Sequence, residues 1–327
     1  IAYRYGADAA YIGIGGFSLR SSAEAIDPKR LLADDALLER TAGELRSLKE
    51  TSGRPRRLYA TLNLFAHEHD LQDVEPVLTA IRELPIDALI VADIGLVEPI
   101  RRVLPEMRLH LSTQANCTNS GAARVYRQLG FSRIVAAREL SLVEIEAINA
   151  AVPELEIEVF VHGAMCMSYS GRCFLSAAMT GRSANRGDCA HSCRWNYALV
   201  EEQRPGEYWP IEEDGRYSTV LSSRDLMLYD YIDQLREAGV ASLKIEGRMK
   251  SALYTAITTG AYRHAVDTAN GQDSAISGQW RSLLDALSHR PYTAGFAVED
   301  ETVHYPAERS GSAQFRLMGI VRKSESG

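Results

Sequence analysis

The chain has 327 residues, 46% hydrophobic and 24% charged, enough apolar material for a large core and too little bias for a disordered or low-complexity polymer. Its formal net charge of −7 argues against wholesale nucleic-acid coating and leaves only a local basic patch as a route to RNA or DNA. No stretch approaches the roughly 18 uninterrupted apolar residues needed to cross a bilayer, and five cysteines are far below the density of a secreted disulfide scaffold, so a cytoplasmic protein with no membrane span is expected.

In chain order, the first residues read as the tail of a helix. Seven short β-branched or apolar runs follow: 9–14 (AAYIGI), 58–63 (LYATLN), 88–92 (ALIVA), 108–113 (RLHLST), 133–137 (RIVAA), 156–161 (EIEVFV) and 241–245 (ASLKI). Between them lie apolar residues at helical spacing, such as Leu71, Val74, Val77, Leu78 and Ile81, or Leu142, Ile145 and Ile148. Near-continuous apolar strands alternating with helices indicate a parallel sheet covered on both faces. Gly13, Gly15 and Gly16 do not complete a G-x-G-x-x-G after the first strand, which favours a barrel over a doubly wound dinucleotide fold. The expected fold class is α/β, a TIM-like (β/α)8 barrel lacking its first strand in this chain, with a cysteine-rich insertion before the last strand.

That insertion spans 163–239, far longer than the other βα connections, and Pro205-Gly206 and Asp214-Gly215 predict a small antiparallel hairpin in its second part. After it come a helix over about 250–269, a second helix, and a β-like run at 314–322. The expected division is 1–270 for the barrel with its insertion, and 271–327 for a C-terminal helix and the start of a truncated small β domain.

A barrel carries its chemistry at the C-terminal ends of its strands. The residues just past each run are polar there: Asn63, Asp93, Ser112, Gln114, Asn116, Arg138, Glu139, His162, Lys244, Glu246 and Arg248. Within the insertion the spacing Cys166-x6-Cys173-x15-Cys189-x3-Cys193 gathers four thiols on glycine-rich backbone. Four thiolates are the ligand set of an iron–sulfur cluster or a structural zinc. Zinc knuckles pair cysteines tightly and only the second pair does so, which leans towards iron–sulfur; two disulfides are the alternative. Cys117 stands apart and reads as a small buried residue.

Around these thiols Arg172, Arg182, Arg186 and Arg194 against Asp188 make the stretch 163–195 carry +3. Arginine clamps carboxylates and phosphates, and Tyr169, Phe174, Trp195 and Tyr197 offer faces for stacking. Compensation of the cluster's negative charge is the plainer role for the arginines, and core packing for the aromatics. Hydrolase motifs are missing: residues 67–70 read HEHD rather than H-E-x-x-H, and there is no G-x-S-x-G. Of the eight histidines, only His162, at the end of a strand and four residues before Cys166, is placed for chemistry.

Residues 158–176 (EVFVHGAMCMSYSGRCFLS) closely resemble the signature of peptidase family U32, the collagenase-like family. Residues 181–194 (GRSANRGDCAHSCR), 223–226 (SRDL) and 244–251 (KIEGRMKS) are similar to the branch of prephenate-dependent tRNA uridine hydroxylases. The resemblance implies a TIM-like barrel and a [4Fe-4S] cluster on Cys166, Cys173, Cys189 and Cys193. It also implies 5-hydroxylation of the tRNA wobble uridine with prephenate as a required metabolite. A dicarboxylate of that kind needs cationic clamps, for which Lys244, Arg248 and Arg138 are best placed, with Glu246 and His162 as the candidate catalytic groups and Arg182, Arg186 and Arg194 as tRNA contacts. An ion-pair network stiffening the mouth is the alternative for the clamps. Alternative functions are an atypical collagenase-like peptidase, an rRNA or quinone hydroxylation factor of the same family, and a non-catalytic RNA-binding module.

Overall fold

The computed structural model describes residues 1–19, 25–50, 55–166, 168–195, 198–199, 209–210, 223–247, 250–272 and 279–298. Among the described residues there are eleven strands: β1 (Ala9–Gly13), β2 (Arg57–Leu62), β3 (Ala88–Val91), β4 (Arg108–Leu111), β5 (Phe131–Val135), β6 (Glu156–Ala164), β7 (Ala198–Leu199), β8 (Trp209–Pro210), β9 (Asp225–Met227), β10 (Ser242–Ile245) and β11 (Tyr292–Thr293). All seven expected runs are strands, with small shifts at their ends. The fourth stops early because Ser112 leaves the ladder and accepts the Gln114 N–H at 3.3 Å, opening a short turn.

The fold is α/β with a mostly parallel sheet. Strands β1 to β6 pair in sequence order, all parallel, and β10 pairs in parallel with β6. The two end strands meet through side chains: the Tyr11 hydroxyl on β1 donates to Glu246 Oε2 just past β10 at 3.1 Å, and Lys244 Nζ lies 4.8 Å from the Tyr11 ring centroid. The sheet is therefore curled, with its two ends facing each other. Strands β2 and β3 are buried almost throughout, as expected when both sheet faces are covered.

The main core lies between sheet and helices and includes Leu62, Leu89, Leu109, Leu111, Ile134, Ile157 and Val161. A smaller cluster of Tyr59, Ala88 and Ile90 with Ala9 and Tyr11 occupies the opposite face. Charged residues share that face. Arg133 Nη1 and Lys244 Nζ each donate to the buried Glu158 carboxylate at 3.0 Å, and Ser242 Oγ donates at 2.9 Å. Burying a carboxylate costs several kcal/mol unless it is paired and hydrogen-bonded, and Glu158 meets both conditions.

Two strands escape a period-based reading because they are so short. Strand β9 runs antiparallel to the C-terminal half of β6, Gly163 opposite Leu226, and β11 adds to β9 in parallel. The expected hairpin is represented by the antiparallel β7–β8 pair; residues 211–222 lie outside the described residues.

The segment that follows residue 270 packs on the helix before it. The helix Gln279–Asp285 and its sequel share a core with the helix Ala252–Ala269, through Leu284 and Leu287 against Tyr254, Ile257 and Ala261. Gly260 lets the two approach, since a Cβ there would lie 2.5 Å from the Trp280 ring. Arg290 then grips Asp225 at 2.7 Å, so residues 279–298 are part of the main body. The β-like run at 314–322 lies outside the described residues.

Candidate functional site

The site is built where β6 runs into the cysteine-bearing segment. Gly163, at φ +114°, is forced to be glycine: a Cβ would stand 2.4 Å from the Glu246 carbonyl oxygen. The close approach seats the Lys244–Glu246 strand end directly against the start of the insertion. Ser223 Oγ donates to the Met165 carbonyl at 2.7 Å, joining the same point to β9.

Two clamps from opposite parts of the sheet hold the segment 166–195. Beyond β5, the Glu139 carboxylate accepts the Ser170 N–H at 2.6 Å and its hydroxyl at 2.5 Å. Ser170 is buried and sits in the left-handed region at φ 37°, a conformation that costs a non-glycine residue free energy and persists only where its surroundings hold it. Beyond β2, Asp70 takes a bidentate pair from Arg186, at 2.8 and 3.0 Å, and also accepts the His67 N–H at 2.7 Å. The Arg186 bond is the main reason that the Asp70 carboxyl is pulled down to about 2. Beside it Gly187, at φ +87°, rests on Leu19, where a Cβ would meet the carbonyl oxygen at 2.7 Å.

The same clamped segment carries the four thiols, all free and all partly or fully exposed. Burial raises the Cys173 thiol, but hydrogen bonds from the Ser168 side chain and from the Ser176 and Leu175 backbone outweigh it, so the thiol is held below its usual value. The Asn185 side-chain oxygen accepts the Cys173 N–H at 3.0 Å, and the His191 N–H points at Cys189 Sγ at 3.4 Å. Burial pushes the Cys193 thiol up; Arg194 opposes this, and the charges of Cys166, Cys189 and Cys173 add to it. Cys193 thus lies within electrostatic reach of the other three thiols. Among the described residues no group of three or more His, Cys, Asp or Glu already surrounds a common metal position, so a bound group would have to draw the thiols together. Cys117 is buried and pushed up to about 11 by desolvation, as its isolation in the sequence suggested.

The other expected residues divide. His162 is 1% exposed, its ring set among those of Tyr254, Tyr262 and Tyr292, and burial drives its pKa down to about 3. It is a neutral core residue, a correction to its expected catalytic role; the cause is the packing of tyrosine rings from the helix Ala252–Ala269 and from β11 around it. Lys244 is committed to Glu158 and does not reach out as a clamp. Glu246 is half-buried and bonded to Tyr11. Arg182 pairs with Asp188 at 2.7 Å and Arg186 with Asp70, while Arg194 is exposed beside Cys193. Arg248 lies outside the described residues.

Arg138 is the best-placed cation. Its guanidinium lies 4.3 Å from the Phe160 ring centroid, and the residue lines a small, mostly apolar crevice. Leu226, Leu228, Ala294 and Phe296 form other walls, and Arg138 is the one ionisable residue lining it among those described.

Residues 1–305 match the family described as Peptidase family U32. The chain belongs to peptidase family U32. Among its relatives, tRNA hydroxylation protein P of Escherichia coli is 35% identical over 97% of this chain and 76% of its own length. The 23S rRNA 5-hydroxycytidine C2501 synthase of the same organism is 38% identical over 81% of this chain and 37% of its own. A protein named Collagenase in Porphyromonas gingivalis is 29% identical over 98% and 76% respectively.

In this U32 chain the residues that sequence reasoning passed over are the clamps. Asp70 sits in the HEHD run inspected for a metalloprotease and set aside, and Glu139 was one polar residue among many at the strand ends. Neither pairing has a local signal, because Glu139 and Ser170 are 31 residues apart and Asp70 and Arg186 are 116 apart.

Proposed function

We propose that this U32 chain is a cytoplasmic RNA hydroxylase that converts the wobble uridine of tRNA to 5-hydroxyuridine, with a [4Fe-4S] cluster on Cys166, Cys173, Cys189 and Cys193 and prephenate as a required metabolite. The observation that carries the reading is the match of nearly the whole chain to a protein named for tRNA hydroxylation. The curled sheet is read as seven strands of a TIM-like barrel, with its mouth at the end where the insertion is clamped.

The donor set fits a thiolate-ligated cluster. Four free thiols stand on one clamped segment, backbone N–H groups point at Cys173 and Cys189, and Arg194 stands beside Cys193. Such donors and charges stabilise thiolates and tune a bound cluster, which supplies one-electron redox chemistry. A structural zinc is the alternative occupant, and four cysteines would leave it no open position. Arg138 is the proposed clamp for a carboxylate of the metabolite and Glu246 the proposed proton-handling group; Arg248, the other proposed clamp, lies outside the described residues.

Mass spectrometry of tRNA from cells lacking the gene, complemented with wild type or Cys166→Ser, tests the activity. Restoration of 5-hydroxyuridine by wild type alone supports it; unchanged tRNA with altered rRNA or quinone moves the chain to another hydroxylation. The relative named Collagenase favours a peptidase as the second reading. Cleavage of denatured collagen by the metal-replete protein, lost in Cys166→Ser, with tRNA unaffected, would establish that reading instead. Iron and acid-labile sulfide in anaerobically purified protein decide between cluster and zinc.

A further inference from the structure

The cysteine segment presents aromatic side chains to solvent. Five aromatic residues are exposed among those described, and three lie on this segment: Tyr169 at 55%, Phe174 at 82% and Trp195 at 43%. Single exposed apolar residues are ordinary, but a concentration of them marks a recognition surface. The helix Leu175–Thr180, which follows Phe174, packs on the turn Ser192–Arg194, which precedes Trp195, so these two rings flank one packed unit. Arg172 and Arg194 are exposed next to them in sequence.

Arg182 and Arg186, expected as RNA contacts, are engaged: the first with Asp188 and the second, bidentately, with Asp70. Breaking the Arg186 pair to reach a phosphate would undock the segment. Besides these the segment exposes flat rings next to Arg172 and Arg194, on a stretch of formal charge +3 in a chain of −7. That combination matches an unpaired nucleic-acid strand, whose bases stack on aromatic faces while its phosphates meet the guanidinium groups. A duplex hides its base faces and offers no such fit.

We propose that Phe174, with Tyr169 and Trp195, forms a stacking platform for unpaired nucleotides, and that Arg172 and Arg194 hold the adjoining phosphates while Arg182 and Arg186 serve only to fold and dock the segment. The proposal rests on the RNA-hydroxylase reading and adds the form in which the RNA is recognised: bases splayed out of a loop.

The test measures fluorescence anisotropy of a labelled RNA stem-loop and of the fully paired duplex of its stem, using the full chain and checking that each variant keeps the wild-type metal content. Phe174→Ala is expected to weaken stem-loop binding by roughly tenfold or more with little effect on the duplex, Phe174→Tyr to restore it, and Trp195 fluorescence to be quenched on binding. Equal affinity of wild type for duplex and loop, or unchanged loop binding in Phe174→Ala, would overturn the platform. So would self-association of wild type that Phe174→Ala abolishes while RNA binding persists, since the rings would then serve a second copy. If Phe174→Ala binds the loop normally and still supports 5-hydroxyuridine in cells, the platform alone fails; if wild type neither binds RNA nor supports the modification, the hydroxylase reading fails with it.

Discussion

The Glu139 carboxylate holds Ser170 by two hydrogen bonds, 2.6 Å from its N–H and 2.5 Å from its hydroxyl, and so fixes a left-handed residue midway between Cys166 and Cys173. The bonds connect the end of one strand to the loop that carries two of the four thiols. Hydrogen bonds to a charged group are worth about 1.5–3 kcal/mol each, enough to offset the backbone cost at Ser170.

Glu139→Ala is therefore expected to release the 166–173 loop without unfolding the body. Bound iron should fall at least severalfold and alkylation of Cys166 and Cys173 in the reduced protein should quicken, while the thermal midpoint shifts by only a few degrees. Ser170→Gly, which keeps the backbone shape and loses the hydroxyl, should lie between wild type and Glu139→Ala. Identical iron content in all three would remove Glu139 from the site.

The clamp on the other side predicts a pH dependence. Asp70 is pulled from the ordinary 3.8 down to about 2, so its contribution to docking is complete above the ordinary value and disappears as pH falls towards 2. Pepsin cleavage within 172–195, taken relative to Asp70→Asn, should be slow at pH 4 and approach the variant's rate near pH 2. Gly187→Ala, which drives a methyl into the Leu19 carbonyl, should be cleaved rapidly at both.

His110 and His162 set a second acid limb. Burial lowers both to about 3, aided at His110 by the Arg133 charge, while at His162 Asp225 opposes it. The unfolded chain takes up these protons below about 6.5 and the folded chain does not, so stability must fall as pH falls. Between pH 6.5 and 5, before ordinary carboxylates titrate, urea denaturation should show a slope approaching about 1.4 kcal/mol per pH unit for each histidine. Replacing either by Phe should remove about half of it; an undiminished slope in both variants would show that other groups are responsible.

Lys244 separates a structural ion pair from a substrate clamp. With Glu158 buried and Lys244 10% exposed, Lys244→Met should cost about 3 kcal/mol, and Lys244→Met with Glu158→Gln should recover most of it, since the cost is the uncompensated carboxylate rather than a missing attraction. A Lys244→Met protein of wild-type stability that fails to bind prephenate in calorimetry would return Lys244 to the ligand site.

The seven main strands were legible from the sequence because each is a short, mostly apolar run, a property written within four to nine neighbouring positions. The same holds for the long insertion, whose cysteine spacing and glycines are local, and for Cys117, which stands apart from the other cysteines. Tertiary structure alone decided which charged groups are spent on folding. Arg182, Arg186, Arg194, Lys244 and Arg138 look equivalent in one dimension, yet Arg186 and Lys244 find carboxylates 116 and 86 residues away and Arg138 lines a crevice. It also packed Tyr254, Tyr262 and Tyr292 around His162, turning the most promising histidine into a core residue. Both outcomes follow from one cause: desolvation and ion pairing depend on what surrounds a side chain in three dimensions, and a sequence window holds only its neighbours along the chain.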